Sequence, residues 1–275
     1  MSGRVEDHYA NPDIVPRILA ALRQVNGADA PVTPDALAPL DHFHGRGVLA
    51  TREMVALLQP QAGEHVLDIG SGIGGPARWI AARFGCHVTG VDLTQAFCDA
   101  AVALNEVTGM ADRVRVLQGN ALALPLPDAA FDRAYSQNVV MNIADKRGMY
   151  REALRVLKPG GLLALSNVCA GPNGEPYFPV PWAASAATSF LATPDATRED
   201  LLAVGFELVS FRETTQEVLA DQVKDRQRME SAGALPPLGV HLIVGERARA
   251  YRINSARSLE DGRTAVIEAL VRKPG

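Results

Sequence analysis

The chain has 275 residues, of which 47% are hydrophobic and 21% charged, and its net charge is −4. This is the balance of a globular protein with enough apolar residues for a sizeable core, and it excludes a strongly basic reader of nucleic-acid phosphates. Three cysteines, Cys86, Cys98 and Cys169, without a Cys-x-x-Cys spacing, argue against a disulfide framework or a zinc site and suit a reducing compartment.

The opening residues Met1-Ser2-Gly3-Arg4-Val5-Glu6-Asp7 are polar and acidic, unlike a secretion signal. No run approaches the roughly 18 apolar residues of a membrane helix. The expectation is a cytoplasmic protein without a membrane or nucleic-acid partner. Residues 1–58 read as helical with breaks, since Ile14, Ile18, Leu19 and Leu22 recur at helical spacing. Residues 26–39 hold three prolines and read as a loop. Asp41-His42-Phe43-His44-Gly45-Arg46-Gly47 reads as a polar turn before a helix at 49–58.

The period then changes. Strands are predicted at 65–69, 87–92, 113–118, 131–137, 162–168, 206–214 and 264–272. Helices are predicted at 76–84, from a Thr94 cap to about 108, at 145–157 and at 197–204. Gly85, Gly109, Lys158-Pro159-Gly160-Gly161 and Gly205 supply the stops. Residues 169–193 form a long Pro- and Gly-containing loop, a length that is more often functional than decorative. Residues 216–260 read as helical pieces broken at Gly233 and Pro236-Pro237. Alternating strands and helices predict a parallel sheet covered on both faces.

The strongest chemical signal is Val66-Leu67-Asp68-Ile69-Gly70-Ser71-Gly72-Ile73-Gly74-Gly75. A glycine turn between strand and helix lets a ligand approach the backbone, beside free N–H groups and a positive helix end. Asp92 follows Gly70 by 22 residues, at the end of the second predicted strand, where a carboxylate can accept from ribose hydroxyls. The spacing Gly70-x-Gly72-x-Gly74 departs from the dinucleotide pattern Gly-x-Gly-x-x-Gly. Asp68 beside it would repel a pyrophosphate and suits the ammonium of a methionine moiety.

Together these segments resemble the class I S-adenosylmethionine-dependent methyltransferases, over residues about 40–273. Residues 66–75 look like the family's first motif and Val88-Thr89-Gly90-Val91-Asp92-Leu93-Thr94 like its ribose-binding segment. Gly119-Asn120-Ala121 occupies the adenine-contacting place, where Asp is commoner than Asn. Phe131-Asp132 and Arg155-Val156-Leu157-Lys158-Pro159-Gly160-Gly161 follow in the family's order. The resemblance implies an α/β, Rossmann-like seven-stranded sheet, mostly parallel with its last strand antiparallel. It further implies a helical N-terminal lid (1–58), a core (59–273) and cap elements at about 169–193 and 216–260. His42-Phe43-His44-Gly45, Gly75-Pro76-Ala77-Arg78 and Asp92-Leu93-Thr94 are similar to the small-molecule branch that includes sarcosine/dimethylglycine-type and natural-product enzymes. That branch commonly has a His near the position of Asn142.

The cofactor implied is S-adenosyl-L-methionine, held by Asp68, Gly70, Gly72, Gly74, Asp92, Leu93, Asn120, Ala121 and Gln137, with the Asn120 side-chain oxygen accepting from the adenine amine. His44 and Asn142 are the catalytic candidates, His44 as base or substrate contact. Tyr9, Asn138, Met141, Tyr177, Trp182 and His241 are candidate substrate residues; the aromatics of the 169–193 loop would wall an apolar or cationic pocket. No metal site is expected, because His42 and His44 have no further ligands at suitable spacing. The partner expected is a small-molecule methyl acceptor with an N, O or C nucleophile, and the protein a monomer or homodimer. The alternatives are a non-catalytic cofactor-binding protein, a nucleic-acid methyltransferase and, last, a nicotinamide oxidoreductase. Ser136-Gln137-Asn138-Val139 lacks the prolines and aromatic that a nucleic-acid enzyme often carries there.

Overall fold

In the computed structural model, residues 14–42, 44–232, 238–241, 245 and 247–275 are described. One seven-stranded sheet has the order β3-β2-β1-β4-β5-β7-β6. Its strands are β1 (His65–Ile69), β2 (His87–Asp92), β3 (Val114–Gln118), β4 (Phe131–Gln137), β5 (Leu157–Ala170), β6 (Glu207–Glu213) and β7 (Thr264–Arg272). The pairs from β3 through to β5 are parallel, whereas β7 runs antiparallel to both β5 and β6. The expected sheet, with its reversed last strand, is present. The chain reverses after β1, where β2 lies on one side and β4 on the other, and in such sheets ligands sit at that crevice.

The helices are α1 (Ile14–Asn26), α2 (Pro34–Asp41), α3 (Val48–Leu58), α4 (Gly75–Phe84), α5 (Gln95–Val107), α6 (Lys146–Val156), α7 (Pro194–Val204), α8 (Thr215–Ala232) and α9 (Arg247–Glu260). Strand alternation splits the core in two. Leu67 and Ile69 of β1 face Met149, Tyr150, Ala153 and Val156 of α6. Val66 faces the other way, toward Met54, Val55 and Leu58 of α3 and Ala77 and Ile80 of α4. A third cluster seats α1 and α2 on α5 through Ile14, Ile18, Leu37, Leu40 and Leu104. The three cysteines are buried free thiols.

Four readings are corrected. Residues 26–39 are not all loop, because α2 begins at Pro34. Thr33 caps it by accepting from the Ala36 amide at 3.2 Å, and Pro34 sits in the first turn, where a missing N–H leaves no intrahelical bond unmade. The same device, a Thr193 cap accepting from Ala196 before Pro194, starts α7 three residues earlier than predicted. The turn 158–161 does not separate helix from strand: β5 begins at Leu157, which pairs with Phe131, and the Gly160 amide bonds to the Lys273 carbonyl. Thr94 starts α5 without a side-chain cap; its amide donates instead to Asp92 Oδ1. The breaks at Gly233 and Pro236-Pro237 lie outside the described residues.

Candidate active site

The glycine loop leaves β1 at Ile69 and enters α4 at Gly75, and hydrogen bonds pin it to the end of β2. The Gly70 and Ser71 amides donate to the Val91 carbonyl at 2.8 and 3.2 Å. The Gly72 amide donates to Asp92 Oδ2 at 2.8 Å, and the Thr94 amide to Oδ1 at 2.9 Å. Asp92 is thereby held rigid, with further lone pairs on each oxygen for a ligand. The glycines do different work. A Cβ on Gly70 would come within 2.2 Å of Val139 and one on Gly75 within 2.2 Å of the Asp41 carbonyl oxygen. At Gly74 a Cβ would press on the Arg78 guanidinium at 2.9 Å, so these positions serve packing. At Gly72, with φ +52°, it would meet nothing within 4 Å, and this is where the loop opens onto free space.

Asp68 and Tyr135 are register partners on β1 and β4, and the Tyr135 hydroxyl donates to Asp68 Oδ2 at 2.7 Å. Both side chains are buried. Burial pushes the Asp68 carboxyl up to about 7, with the Asp92 charge adding to the rise and the Tyr135 bond opposing it. Burial also raises Asp92, against the amides of Thr94 and Gly72. Two carboxyls with too little positive charge around them fit a ligand that brings its own ammonium.

At the end of β4 the Ser136 hydroxyl donates to the Ile69 carbonyl at 3.0 Å, locking the strand end beside the loop. Gln137 is buried with its Nε2 unbonded, and Asn142 has a buried, unbonded Oδ1. Asn138 turns the chain with φ +54°. Met141 packs with Val180, Trp182 and Ala183 in a small separate core. The indole N–H of Trp182 goes to Ser189 Oγ at 2.9 Å. Lys146 Nζ donates to the carbonyls of Val140, Ile143 and Phe190, and so ties the residues after β4 to the loop before α7.

Above these strand ends lies the segment joining α2 to α3. Thr51 Oγ1 of α3 sits 2.9 Å from His42 Nδ1, 3.2 Å from His44 Nε2 and 3.2 Å from Gln137 Oε1. Burial lowers both imidazoles to about 4, with Arg78 adding to the effect at His42 and the neighbouring His42 at His44. Both are therefore neutral at physiological pH. Asp41 pairs with Arg78, wholly buried in α4, at 2.9 Å. Arg78 also donates to Asn105 Oδ1 at 3.0 Å. His42, His44, Arg52, Trp79 and Arg83 line a cavity of about 500 Å³ between α2, α3 and α4.

The structure thus gathers Asp68, Gly72, Asp92 and Leu93 at one place and joins Gln137 to His44 through Thr51. Other candidates fall elsewhere. The Asn120 side-chain oxygen accepts from the Leu122 amide at 2.9 Å and keeps a second lone pair for an adenine amine; Ala121 packs against the larger core. Arg257 and Arg263 lie 4.0 and 4.2 Å over the Tyr177 ring and its hydroxyl donates to Asp261. His241 follows Val240, which lines the cavity. Tyr9 lies outside the described residues, as does Phe43. Sequence reasoning missed Asp41, Thr51 and Arg78; a doublet Gly74-Gly75 just ahead of an arginine was the available sign of close packing. Among the described residues no group of three or more His, Cys, Asp or Glu is placed to hold a metal ion, and no helix is long and apolar enough to cross a membrane.

The desolvated Asp68, the doubly pinned Asp92 and the opening at Gly72 fit the ammonium, ribose and backbone contacts of S-adenosylmethionine. Residues 67–165 match the family described as a methyltransferase domain. The chain carries a class I S-adenosylmethionine-dependent methyltransferase domain. The domain is similar to 24-methylenesterol C-methyltransferase 2 of Oryza sativa subsp. japonica, 41% identical over 43% of this chain and 33% of the relative. It is 31% identical to the O-methyltransferase resE of Aspergillus sclerotiorum over 61% of this chain and 64% of the relative. The chain thus spans from about a third to just under two thirds of the length of these curated relatives. In fold it matches the geranyl diphosphate C-methyltransferase of Streptomyces coelicolor A3(2), with a TM-score of 0.71 and 18% identity, over 99% of this chain and 97% of that one.

Proposed function

We propose that this chain transfers a methyl group from S-adenosylmethionine to a small-molecule acceptor held beneath its N-terminal helices. The observation that carries the reading is the pair of buried carboxylates, Asp68 and Asp92, flanking a glycine turn that opens at Gly72. Asp68 would accept from the methionine ammonium and Asp92 from the ribose hydroxyls, with Leu93 and Ala121 beside the adenine. When bound, the cofactor supplies an electrophilic methyl on a sulfonium, whose leaving group is already good. Catalysis by the chain is then chiefly orientation in a site closed to water. Gln137 and Asn142, each with an unbonded buried polar atom, hold the acceptor, and His44, neutral at physiological pH, takes a proton where the nucleophile arrives protonated.

The acceptor sits beside His44 at the strand ends, and residues 1–58 with the segments at 169–193 and 216–260 act as its covers. The relatives named above act on a sterol carbon, through an oxygen and on geranyl diphosphate, and so support a small-molecule acceptor without choosing the nucleophile. A net charge of −4 supports an acceptor other than nucleic acid, and three buried free thiols support a cytoplasmic setting, as a monomer or homodimer.

The test is thermal denaturation with and without S-adenosylhomocysteine, comparing the wild type with Asp92→Ala. A ligand at a hundredfold excess over its Kd stabilises the native state by about 2.7 kcal/mol. The wild type is expected to shift upward, and Asp92→Ala to bind at least about tenfold more weakly, a loss of about 1.4 kcal/mol. An unshifted wild type at millimolar ligand would overturn the reading.

A further inference from the structure

A buried polar chain runs from α4 to the cavity: Arg78, Asp41, His42, Thr51, His44. Asp41 Oδ1 and His42 Nε2 are both buried, both without a hydrogen bond, and 3.8 Å apart. Thr51 is fully buried and has one proton to give among two imidazoles and an amide.

Three proton orders satisfy this cluster. In the first, His44 carries its proton on Nδ1, toward the Gly45 carbonyl at 3.4 Å. Thr51 then donates to Gln137 or His44, His42 donates from Nδ1, and the lone pair of His42 Nε2 faces Asp41. In the second, His42 is protonated on Nε2, facing Asp41. Thr51 donates to His42 Nδ1, His44 donates from Nε2 to Thr51, and a half-turn of the Gln137 amide presents its NH₂ to Thr51. In the third, His42 Nδ1 and His44 Nε2 both donate to Thr51, Thr51 donates to Gln137 Oε1, and the lone pair of His42 Nε2 again faces Asp41.

Asp41 decides between them. A guanidinium does not deprotonate, and a wholly buried one left without an anion is strongly destabilising, so the carboxylate at 2.9 Å stays ionised. An anion 3.8 Å away is beyond hydrogen-bond range, yet in a dry interior its field still favours an N–H over a lone pair. The opposing contact, 3.4 Å to the carbonyl of an exposed turn residue, is long for a hydrogen bond. We propose that the Arg78–Asp41 pair, acting through His42 and Thr51, fixes His44 as the Nε2–H tautomer and leaves Nδ1 as the atom that takes the acceptor's proton. The proposal rests on the methyltransferase reading. Asp41, His42 and Thr51 are positioning residues, and His44 is the catalytic one. In the step it serves, the acceptor's O–H or acidic C–H bond breaks, its electron pair stays on the nucleophile, and the new N–H bond makes His44 an imidazolium.

The experiment is long-range ¹H–¹⁵N NMR of the full chain labelled with ¹⁵N-histidine, without any ligand. The rings are assigned from His42→Gln and His44→Gln, and Thr51→Val and Thr51→Ser are compared with the wild type. The expected result is a protonated-type shift at Nε2 of both His42 and His44 and an unprotonated-type shift at Nδ1 of each. Averaging of the two is expected in Thr51→Val, with the wild-type pattern kept in Thr51→Ser. A wild-type His44 or His42 protonated on Nδ1, or a His44 Nε2–H tautomer unchanged in a folded Thr51→Val, would overturn the proposal. If Thr51→Val does not fold, the wild-type tautomer alone decides. Because no cofactor is present, this outcome is independent of the binding test above, and either reading can fail alone.

Discussion

At the scale of single residues, Asp68 is the group whose chemistry is most exposed to measurement. Its carboxyl is held at about 7 by burial, against an ordinary 3.8. The folded protein therefore keeps a proton that the unfolded chain gives up, and stability declines as pH rises from about 4 to about 7. A displacement of this size corresponds to about 4 kcal/mol. Asp68→Asn removes the titration and keeps an acceptor for Tyr135. Its urea stability is expected to exceed that of the wild type at pH 8 and to converge with it toward pH 4. A bound ammonium favours the ionised carboxyl, so wild-type affinity for S-adenosylhomocysteine is expected to rise about tenfold from pH 6 to pH 8, and that of Asp68→Asn to change far less. Parallel pH profiles for the two proteins would refute this role. Asp68 was legible in the sequence because the glycines beside it marked the strand end. Thr51 was not, because a threonine one turn into a helix looks like any partly apolar helix position; only the fold brings Gln137, 86 residues later, against it.

At the scale of elements, strand positions were read closely wherever a short apolar run ended in glycine or aspartate, as at β1 and β2. Errors came from proline, which counts against a helix interior yet suits its first turn, as at Pro34 and Pro194. Contacts between elements far apart in the chain were illegible. Arg46, held with φ +65° just before α3, binds Glu53 at 2.6 Å and Asp221 of α8 at 2.7 Å. The Arg46 side chain is 10% exposed and Asp221 22%, so the pair is less screened than one at the open surface. It fastens the His42–His44 segment to the long helix that follows β6. A double-mutant cycle of Arg46→Ala and Asp221→Ala is expected to give a coupling of about 1 kcal/mol. Hydrogen exchange across residues 44–58 is expected to accelerate in Asp221→Ala; a coupling near zero with unchanged exchange would mean that the two elements are held by packing alone.

For the whole molecule, the mostly parallel sheet and its reversed last strand were legible because alternating strands and helices admit few topologies. The burial of Asp41 and Arg78 was not, since a charged pair inside the fold is visible only once α2 lies on α4. The three cysteines now take on a use of their own. Burial raises their thiols to about 11 for Cys86 and Cys169 and about 12 for Cys98, so none offers a thiolate to an alkylating reagent while its surroundings stay closed. They stand in different neighbourhoods: Cys86 before β2, Cys98 on α5 with its thiol toward the Asp92 carbonyl at 3.7 Å, and Cys169 in β5 beside β7. Nature has in effect installed three clocks, each started by the opening of its own region. In sub-denaturing urea, peptide mapping after iodoacetamide is expected to find Cys98 modified first and slowed by S-adenosylhomocysteine, and Cys169 only as the sheet itself comes apart. Simultaneous modification of all three would mean that the sheet and the cofactor loop open as one unit.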